Sequence, residues 1–329
     1  MIHSFEAENF RLFDKIKINR LNRVNLIVGK NNAGKTALLE ALLLFFSKMS
    51  RDVIPRLLES RQEYRMPEQS YFSGQQLLSP LGHLFKGRKI PALGEEGFRL
   101  SSGNKDTIHV RTGKSENKGI QYRLDFGEIE DSNAPFDELY IISESGNSSS
   151  IVASLGESAA DLKRLRRVME RQGNAISGQD TNIPKYRFVS ARGISDQESS
   201  DLWDSISLTD LEDDVIQGLR ILEPELVRLT FVKMNSGVES YYRVPDRIPL
   251  VRQNKSSNPV PLKSLGDGMI RIFHIVLSLV SAKGGILLID EFENGLYWEI
   301  QEKAWRVVFE LAEEFDVQVF ATTHRAVHF

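Results

Sequence analysis

Apolar positions recur along this chain in two rhythms, and the switches between them mark its elements. Near the amino end IHSFEAENF and KIKINRLNRVNLIV read as two strands, and TALLEALLLFFSKM, from about Lys35, carries the 3.6-residue period of a helix. From about residue 50 to 90 the period stays helical but is broken by Pro55, Pro67, Pro80 and Pro91, which predicts short helices. Residues 97–155 offer short alternating runs, GFRLSS, TIHVRT, IQYRLDF, ELYIIS and SIVASL, separated by Gly, Asn, Ser and Asp clusters. They predict an antiparallel meander, with SGNSSS at 145–150 as a hairpin loop. A charged helix follows in ESAADLKRLRRVMERQ at 157–172, with Leu162, Leu165 and Met169 on one face and Lys163, Arg164, Arg166 and Arg167 around the rest. Such a pattern suits a solvated surface helix better than a phosphate-contacting one.

The second half is more regular. KYRFVSA predicts a strand, and WDSISLTDLEDDVIQGLRIL one or two helices, with Leu211, Val215, Ile216 and Leu219 at helical spacing. Strand-like pieces RLTFV, YYRVP and PLVR follow. KSLGDGMIRIFHIVLSLVSA is a turn feeding a long apolar helix, GGILLIDE a buried strand ending in two carboxylates, LYWEIQEKAWRVVFELAEEF an amphipathic helix, and VQVFATT a last strand that leads to His324. Strand, helix, strand with β-branched apolar runs implies a parallel sheet, hence an α/β core.

Composition narrows the chemistry. The chain has 329 residues, 41% hydrophobic and 26% charged, enough for a substantial core. It contains no cysteine, which excludes a thiol nucleophile, a disulfide framework and a thiolate metal site, and suits a reducing cytoplasm. The opening MIHSFEAENFRLF is neither an apolar signal core nor an Arg-rich transit peptide, and no apolar run approaches bilayer length, so the expectation is a cytoplasmic protein without membrane partners. A net charge of -3 gives the whole chain no strong pull toward nucleic acid, so any such binding must be local.

One short stretch carries a specific chemistry. In GKNNAGKT, residues 29–36, Gly29 and Gly34 permit a tight turn with backbone N–H groups pointing inward, Lys35 is placed to reach β- and γ-phosphates, and Thr36 offers a hydroxyl to Mg²⁺. The helix that starts there adds its positive dipole end. An accidental match in an ordinary strand-turn-helix is the competing reading, and the β-branched run before and helical pattern after it favour phosphate. Asp290, where ILLID ends, is placed to share a Mg²⁺ with Thr36. Glu291 is then positioned to orient or deprotonate a water, and His324 to contact the γ-phosphate. The bland alternatives are a solvent-edge carboxylate pair and a lone histidine. SLGDG at 264–268 places two more glycines at a helix N-terminus, a second anion site that another copy of the chain could use.

GKNNAGKT, SLGDGMIR, ILLIDEFENGL and ATTH, in that order, resemble the Walker A, signature, Walker B/D-loop and H-loop of an ABC-type ATPase, most closely the OLD-like, RecF/SMC-related AAA ATP-binding proteins of bacteria. ENFRLFDKIKI resembles that group's first strands, and WDSISLTDLEDDVIQGLRIL does so more faintly, whereas residues 50–180 carry no matching motif. The resemblance implies one P-loop NTPase domain over 1–329, an ABC-type head with a RecA-like parallel core, an antiparallel β lobe and a helical lobe, interrupted by a β/α insertion at about 50–180. It implies an ATP-dependent homodimer in which Gly29, Asn31, Asn32, Ala33, Gly34, Lys35, Thr36 and Ala37 hold ATP and Thr36 and Asp290 hold Mg²⁺. Glu291 and His324 are then catalytic, while Ser264, Gly266, Asp267 and Gly268 reach the partner's nucleotide. Gly266 stands where transporter signatures have serine, and the Q-loop glutamine has three candidates, Gln69, Gln75 and Gln76. OLD nucleases carry a Toprim domain whose metal site needs a D-x-D pair; none occurs here, so the expectation is an ATPase that serves a separate effector or whose end lies beyond residue 329. The function expected is a dimeric switch controlling an effector protein such as a nuclease in anti-phage defence. An ATP-gated clamp on double-stranded DNA in repair is the alternative, and a transporter subunit ranks below both because the signature lacks its serine-glycine-glycine-glutamine core.

Overall fold

The computed structural model describes residues 1–50, 52–63, 80–103, 106–118, 121–125, 139–146, 148–154, 183–233, 247–254 and 258–324. In chain order its elements are β1 (Phe5–Glu8), β2 (Lys15–Ile18), β3 (Val24–Val28), α1 (Lys35–Phe46), α2 (Val53–Ser60), β4 (Phe98–Ser102), β5 (Asp106–Lys118), β6 (Gln121–Asp125), β7 (Leu139–Ser145) and β8 (Ser148–Ser154). Then come β9 (Tyr186–Val189), α3 (Asp196–Ile206), α4 (Asp210–Arg220), β10 (Leu226–Lys233), β11 (Arg247–Gln253), β12 (Val260–Pro261), α5 (Asp267–Ser281), β13 (Ile286–Ile289), α6 (Trp298–Glu314) and β14 (Gln318–Thr323). The chain divides into two compact units, one of Met1, Asn22–Leu39 and Pro184–Phe329, the other of Ile2–Leu21 and Glu40–Ile183.

The first unit is built on a four-stranded sheet in the order β3-β14-β13-β9, parallel at every pairing. β13 and β14 are buried at every position, as the apolar and β-branched residues that make up all of β13 and all of β14 but Gln318 require of central parallel strands. α5 packs against β9, α3, α4 and α6, which is why it is apolar nearly all round: Ile272, Phe273, Ile275, Val276, Leu277, Leu279 and Val280 are each at most 1% exposed. Burying each of these larger side chains stabilises the unit by about 1.5–3 kcal/mol before the entropy of ordering is subtracted. The paired helices expected from WDSISLTDLEDDVIQGLRIL are α3 and α4, and α3 starts with Ser195 as its N-cap, accepting from the Glu198 N–H at 3.2 Å. A small antiparallel sheet, β10-β11-β12, packs against both.

The second unit holds an antiparallel sheet in the order β2-β1-β4-β5-β7-β8. It differs from a simple meander in one respect: β5, 13 residues long, pairs with β7 over Ile108–Lys114 and with β6 over Lys114–Lys118. Glu40 on α1 is 3% exposed and sits between the Arg11 guanidinium at 2.6 Å and that of Arg61 at 2.5 Å. Such a carboxylate is stable in the interior only while both cations remain.

KIKINRLNRVNLIV does not form the single strand expected of it. It divides at residues 19–23, and the Asn25 side chain accepts from the Asn22 N–H at 2.8 Å and donates to the Asn22 carbonyl at 2.7 Å, closing a turn at the start of β3. As a result β2 joins the antiparallel sheet and β3 the parallel one. Among the described residues no helix is long and apolar enough to cross a membrane. The basic helix expected at 157–172, the strand YYRVP and the Q-loop candidates Gln69, Gln75 and Gln76 lie outside the described residues.

Candidate functional site: a phosphate loop beside the ends of three strands

β3, β13 and β14 run side by side and in the same direction, so their carboxyl ends open on one edge of the sheet, where ligands sit in open α/β folds. β3 ends at Val28 and α1 begins at Lys35, leaving residues 29–34 as the loop between them. Gly34 has φ of 91° and Asn32 φ of 62°, and left-handed residues in such a turn aim successive N–H groups into one concavity. The glycine requirement falls on Gly34 alone. At Gly29 a Cβ would meet Ala33 at an ordinary 3.6 Å and φ is not positive, so the turn itself does not need glycine there. Asn31, Asn32 and Ala33 are exposed on the loop, and Ala37 is buried in α1.

Lys35 is 9% exposed, and its ammonium donates to the carbonyls of Gly29 at 2.8 Å and Lys30 at 3.0 Å. The Thr36 hydroxyl lies 3.2 and 3.1 Å from the two carboxylate oxygens of Asp290. Thus the loop and the end of β13 meet through two residues 254 apart in sequence. Asp290 is 7% exposed, and Thr322 on β14 donates to its Oδ1 at 2.7 Å. A buried carboxylate held by two neutral hydroxyls is a site for a cation, and Mg²⁺, which takes few protein oxygens and completes its shell from phosphate and water, fits these donors.

Beyond β13 the chain turns sharply: Glu291 has φ of 49°, uncommon for a residue with a side chain. Its N–H donates to the Thr322 hydroxyl at 2.7 Å, and its carboxylate Oε1 lies 3.1 Å from His324 Nε2. His324 Nδ1 is in turn 3.1 Å from the Lys35 ammonium, and the His324 N–H donates to Glu293 Oε1 at 2.6 Å. A neutral imidazole with its proton on Nε2 satisfies both ring contacts, accepting from Lys35 and donating to Glu291. Beside Glu291 and His324 opens a cavity of about 500 Å³, bounded also by Glu293, Asn294 and the exposed rings of Tyr297 and Trp298. Phe292 stacks on Trp305 of α6 at 3.7 Å between ring centres, anchoring the segment that carries these groups.

Arg271, on α5, is 5% exposed and reaches the same turn. It donates to the carbonyls of Ser190 at 2.5 Å, Asp290 at 2.6 Å and Glu291 at 2.8 Å. Burial pulls its pKa down to about 10, so it is charged at neutral pH. One helical turn further, His274 is held neutral: burial, with Arg271 nearby, lowers its pKa to about 4, and its Nδ1 accepts the Ile194 N–H at 3.4 Å.

The 264–268 segment forms the turn that starts α5. Ser264, Gly266 and Asp267 are exposed, Gly266 has φ of 105°, and a Cβ on Gly268 would come within 3.1 Å of the Gly295 carbonyl. Among the described residues none of these four hydrogen-bonds to the 29–34 loop.

Sequence reasoning passed over Thr322, Arg271 and Glu293. Arg271 had a signal, a lone arginine inside the apolar run MIRIFHIVLSLV. Thr322, within ATTH, had none, because its partner is fixed only by strand register.

A family model described as "AAA domain, putative AbiEii toxin, Type IV TA system" matches residues 24–327. The chain belongs to this AAA-domain family. It is therefore an ATPase of the P-loop class. The AAA-domain protein is 22% identical to a Helicobacter pylori protein named ATP/GTP phosphatase, over 98% of this chain and 85% of that one. A segment of 47 residues, 14% of this chain and 22% of the other, is 47% identical to the uncharacterized protein MJECL10 of Methanocaldococcus jannaschii. Among solved structures, an SMC head bound to the C-winged helix domain of ScpA gives a TM-score of 0.49 at 13% identity, covering 99% of this chain and 90% of that one. The SMC head domain from Thermotoga maritima gives 0.40 at 11%, covering 98% and 89%.

Proposed function

We propose that this AAA-domain protein binds ATP with Mg²⁺ at the 29–36 loop and hydrolyses it with Glu291 as the general base. The observation that carries this reading is the convergence of Lys35, Thr36, Asp290, Glu291 and His324 through contacts of 3.2 Å or less. Loop N–H groups and the Lys35 ammonium bind the β- and γ-phosphates. Mg²⁺, held by Thr36 and Asp290, would draw charge from the phosphate oxygens. Glu291 takes a proton from the water whose oxygen attacks the γ-phosphorus; the bond to the bridging oxygen breaks, and ADP and phosphate leave. His324 holds the Glu291 carboxylate in place and lies within reach of the γ-phosphate.

Exposed Ser264, Gly266 and Asp267, which make no hydrogen bond to the 29–34 loop of their own chain, support the further reading that a second copy supplies this turn to complete the site. The protein is then an ATP-driven dimeric switch of the ABC type. In this reading the switch controls an effector such as a nuclease in bacterial defence, and the family description, which names a putative toxin of a type IV TA system, is compatible with that setting.

Turnover and nucleotide affinity of Glu291→Gln and Lys35→Ala test the site. Glu291→Gln should retain ATP and accumulate as an ATP-dependent dimer, with kcat lowered ~10²- to 10⁴-fold. Lys35→Ala should instead lose affinity. Wild-type turnover by Glu291→Gln would remove the base assignment, and ATP-bound protein that stays monomeric in analytical ultracentrifugation would remove the dimer.

A further inference from the structure

Arg271 takes no part in the chemistry just described, yet it is bound to the frame of that chemistry. A guanidinium withdrawn from water is costly unless its charge is met. Arg271, 5% exposed, meets it with main-chain carbonyls at the ends of β9 and β13. Two of the three accept from one nitrogen: Nη2 donates to the carbonyl of Asp290 at 2.6 Å and to that of Glu291 at 2.8 Å.

Those two carbonyls belong to the peptide planes on either side of the Glu291 Cα. Fixing both planes fixes φ and ψ at that residue, and with them the direction of its Cα–Cβ bond. The conformation needs such a hold, because φ of 49° at a residue with a side chain costs roughly 1–2 kcal/mol relative to ordinary backbone. Thr322 grips the first of these planes at its other end, accepting the Glu291 N–H at 2.7 Å.

We propose that Arg271 is a positioning residue, which aims the Glu291 carboxylate by fixing the two peptide planes that flank its Cα. The proposal rests on the reading of Glu291 as the base. The planar fork of arginine suits the task, since it offers donors in fixed directions to Ser190 on one side and to Asp290 and Glu291 on the other. A lysine ammonium, a single point on a flexible stem, cannot span the three. Arg271 also sits on the helix that begins at the 264–268 turn, so a shift of that turn reaches the Glu291 backbone through one side chain.

The experiment is a double-mutant comparison by single-turnover hydrolysis of radiolabelled ATP, with nucleotide affinity measured alongside. Arg271→Lys, which keeps the charge and the methylenes, should lower kcat ~10- to 10²-fold, the scale of a misplaced catalytic group. Its ATP affinity should stay within about threefold of wild type, under 1 kcal/mol. In a Glu291→Gln background the same substitution should cost almost nothing more, because the group it aims is already gone. Wild-type kcat in Arg271→Lys overturns the proposal, as does a loss that multiplies fully onto that of Glu291→Gln or one expressed only in KM. Should Arg271→Lys fail to fold, Arg271→Met, which removes the buried charge with its desolvation cost, is read by the same criteria. If Glu291→Gln itself hydrolyses at the wild-type rate, the base assignment fails first, and Arg271 is not what failed.

Discussion

Replacing Thr322 by valine keeps the shape of the side chain and deletes one hydroxyl. That hydroxyl is fully buried, donates to Asp290 Oδ1 at 2.7 Å and accepts the Glu291 N–H at 2.7 Å. A hydrogen bond to a charged group contributes about 1.5–3 kcal/mol, and a buried N–H left without a partner costs about 1–3 kcal/mol. The two overlap, since one relaxation of the strand end can relieve part of both, so the net loss is about 2–4 kcal/mol, a large share of a domain's stability of roughly 5–15 kcal/mol. Thr322→Ser retains both bonds and loses one methyl, which costs about 1 kcal/mol. Equilibrium unfolding in urea followed by tryptophan fluorescence reads the difference where it matters, because all three tryptophans, Trp203, Trp298 and Trp305, belong to the unit that contains the site. The midpoint should fall with an unchanged slope. A loss below about 0.5 kcal/mol in Thr322→Val, or an equal loss in Thr322→Ser, would show that the hydroxyl does not hold Asp290 and Glu291 together.

Two further outcomes follow from the same region. His274 takes up a proton only near pH 4 when folded and near 6.5 when unfolded, so the unfolded chain binds more protons between those values, and stability should fall as the pH is lowered from about 6.5 toward 4. At about 1.4 kcal/mol per unit the full effect is about 3 kcal/mol, and a urea series across that range should show a slope that His274→Gln flattens; an equal slope in both proteins would mean that other groups carry it. Gly193→Ala should destabilise by about 2–4 kcal/mol, because φ is 90° and the added Cβ would lie 2.3 Å from His274 Nδ1, and a melting temperature unchanged within error would refute that account.

The parts of this molecule legible in the sequence are those set by local periodicity and by motif. α5 and α6 show their burial in spacing, β13 in an unbroken apolar run, β14 in the apolar stretch VFA, and the loop before α1 in GKNNAGKT, because each is decided by residues close in sequence. Misreadings arose where a short polar device overrides periodicity. The Asn22–Asn25 turn divides KIKINRLNRVNLIV between two sheets, at the polar stretch around Leu21 where the alternation lapses. The second partner of β5 is likewise invisible, since nothing in a strand's own pattern says that two others will share its length. Within the site, the motifs named the groups proposed to face phosphate but not those that hold them. Thr322 and Arg271 act across 32 and 19 residues of sequence on Asp290, and only the alignment of strands and helix brings them there.

That alignment also has arithmetic. Ile286–Ile289 pairs in step with Gln318–Ala321 on one side and Tyr186–Val189 on the other, so Asp290, Thr322 and Ser190 stand one past the last rung of each ladder. Successive side chains on a strand point to opposite sides, and a shift by one position turns every one of them over. The four letters ILLI can therefore be respelled with other branched apolar residues while the acidic group beyond them still meets Thr36. Their number cannot be changed: a single codon lost in that run would present the neighbouring glutamate to the loop, and one gained an apolar side chain, in a protein whose composition had scarcely altered.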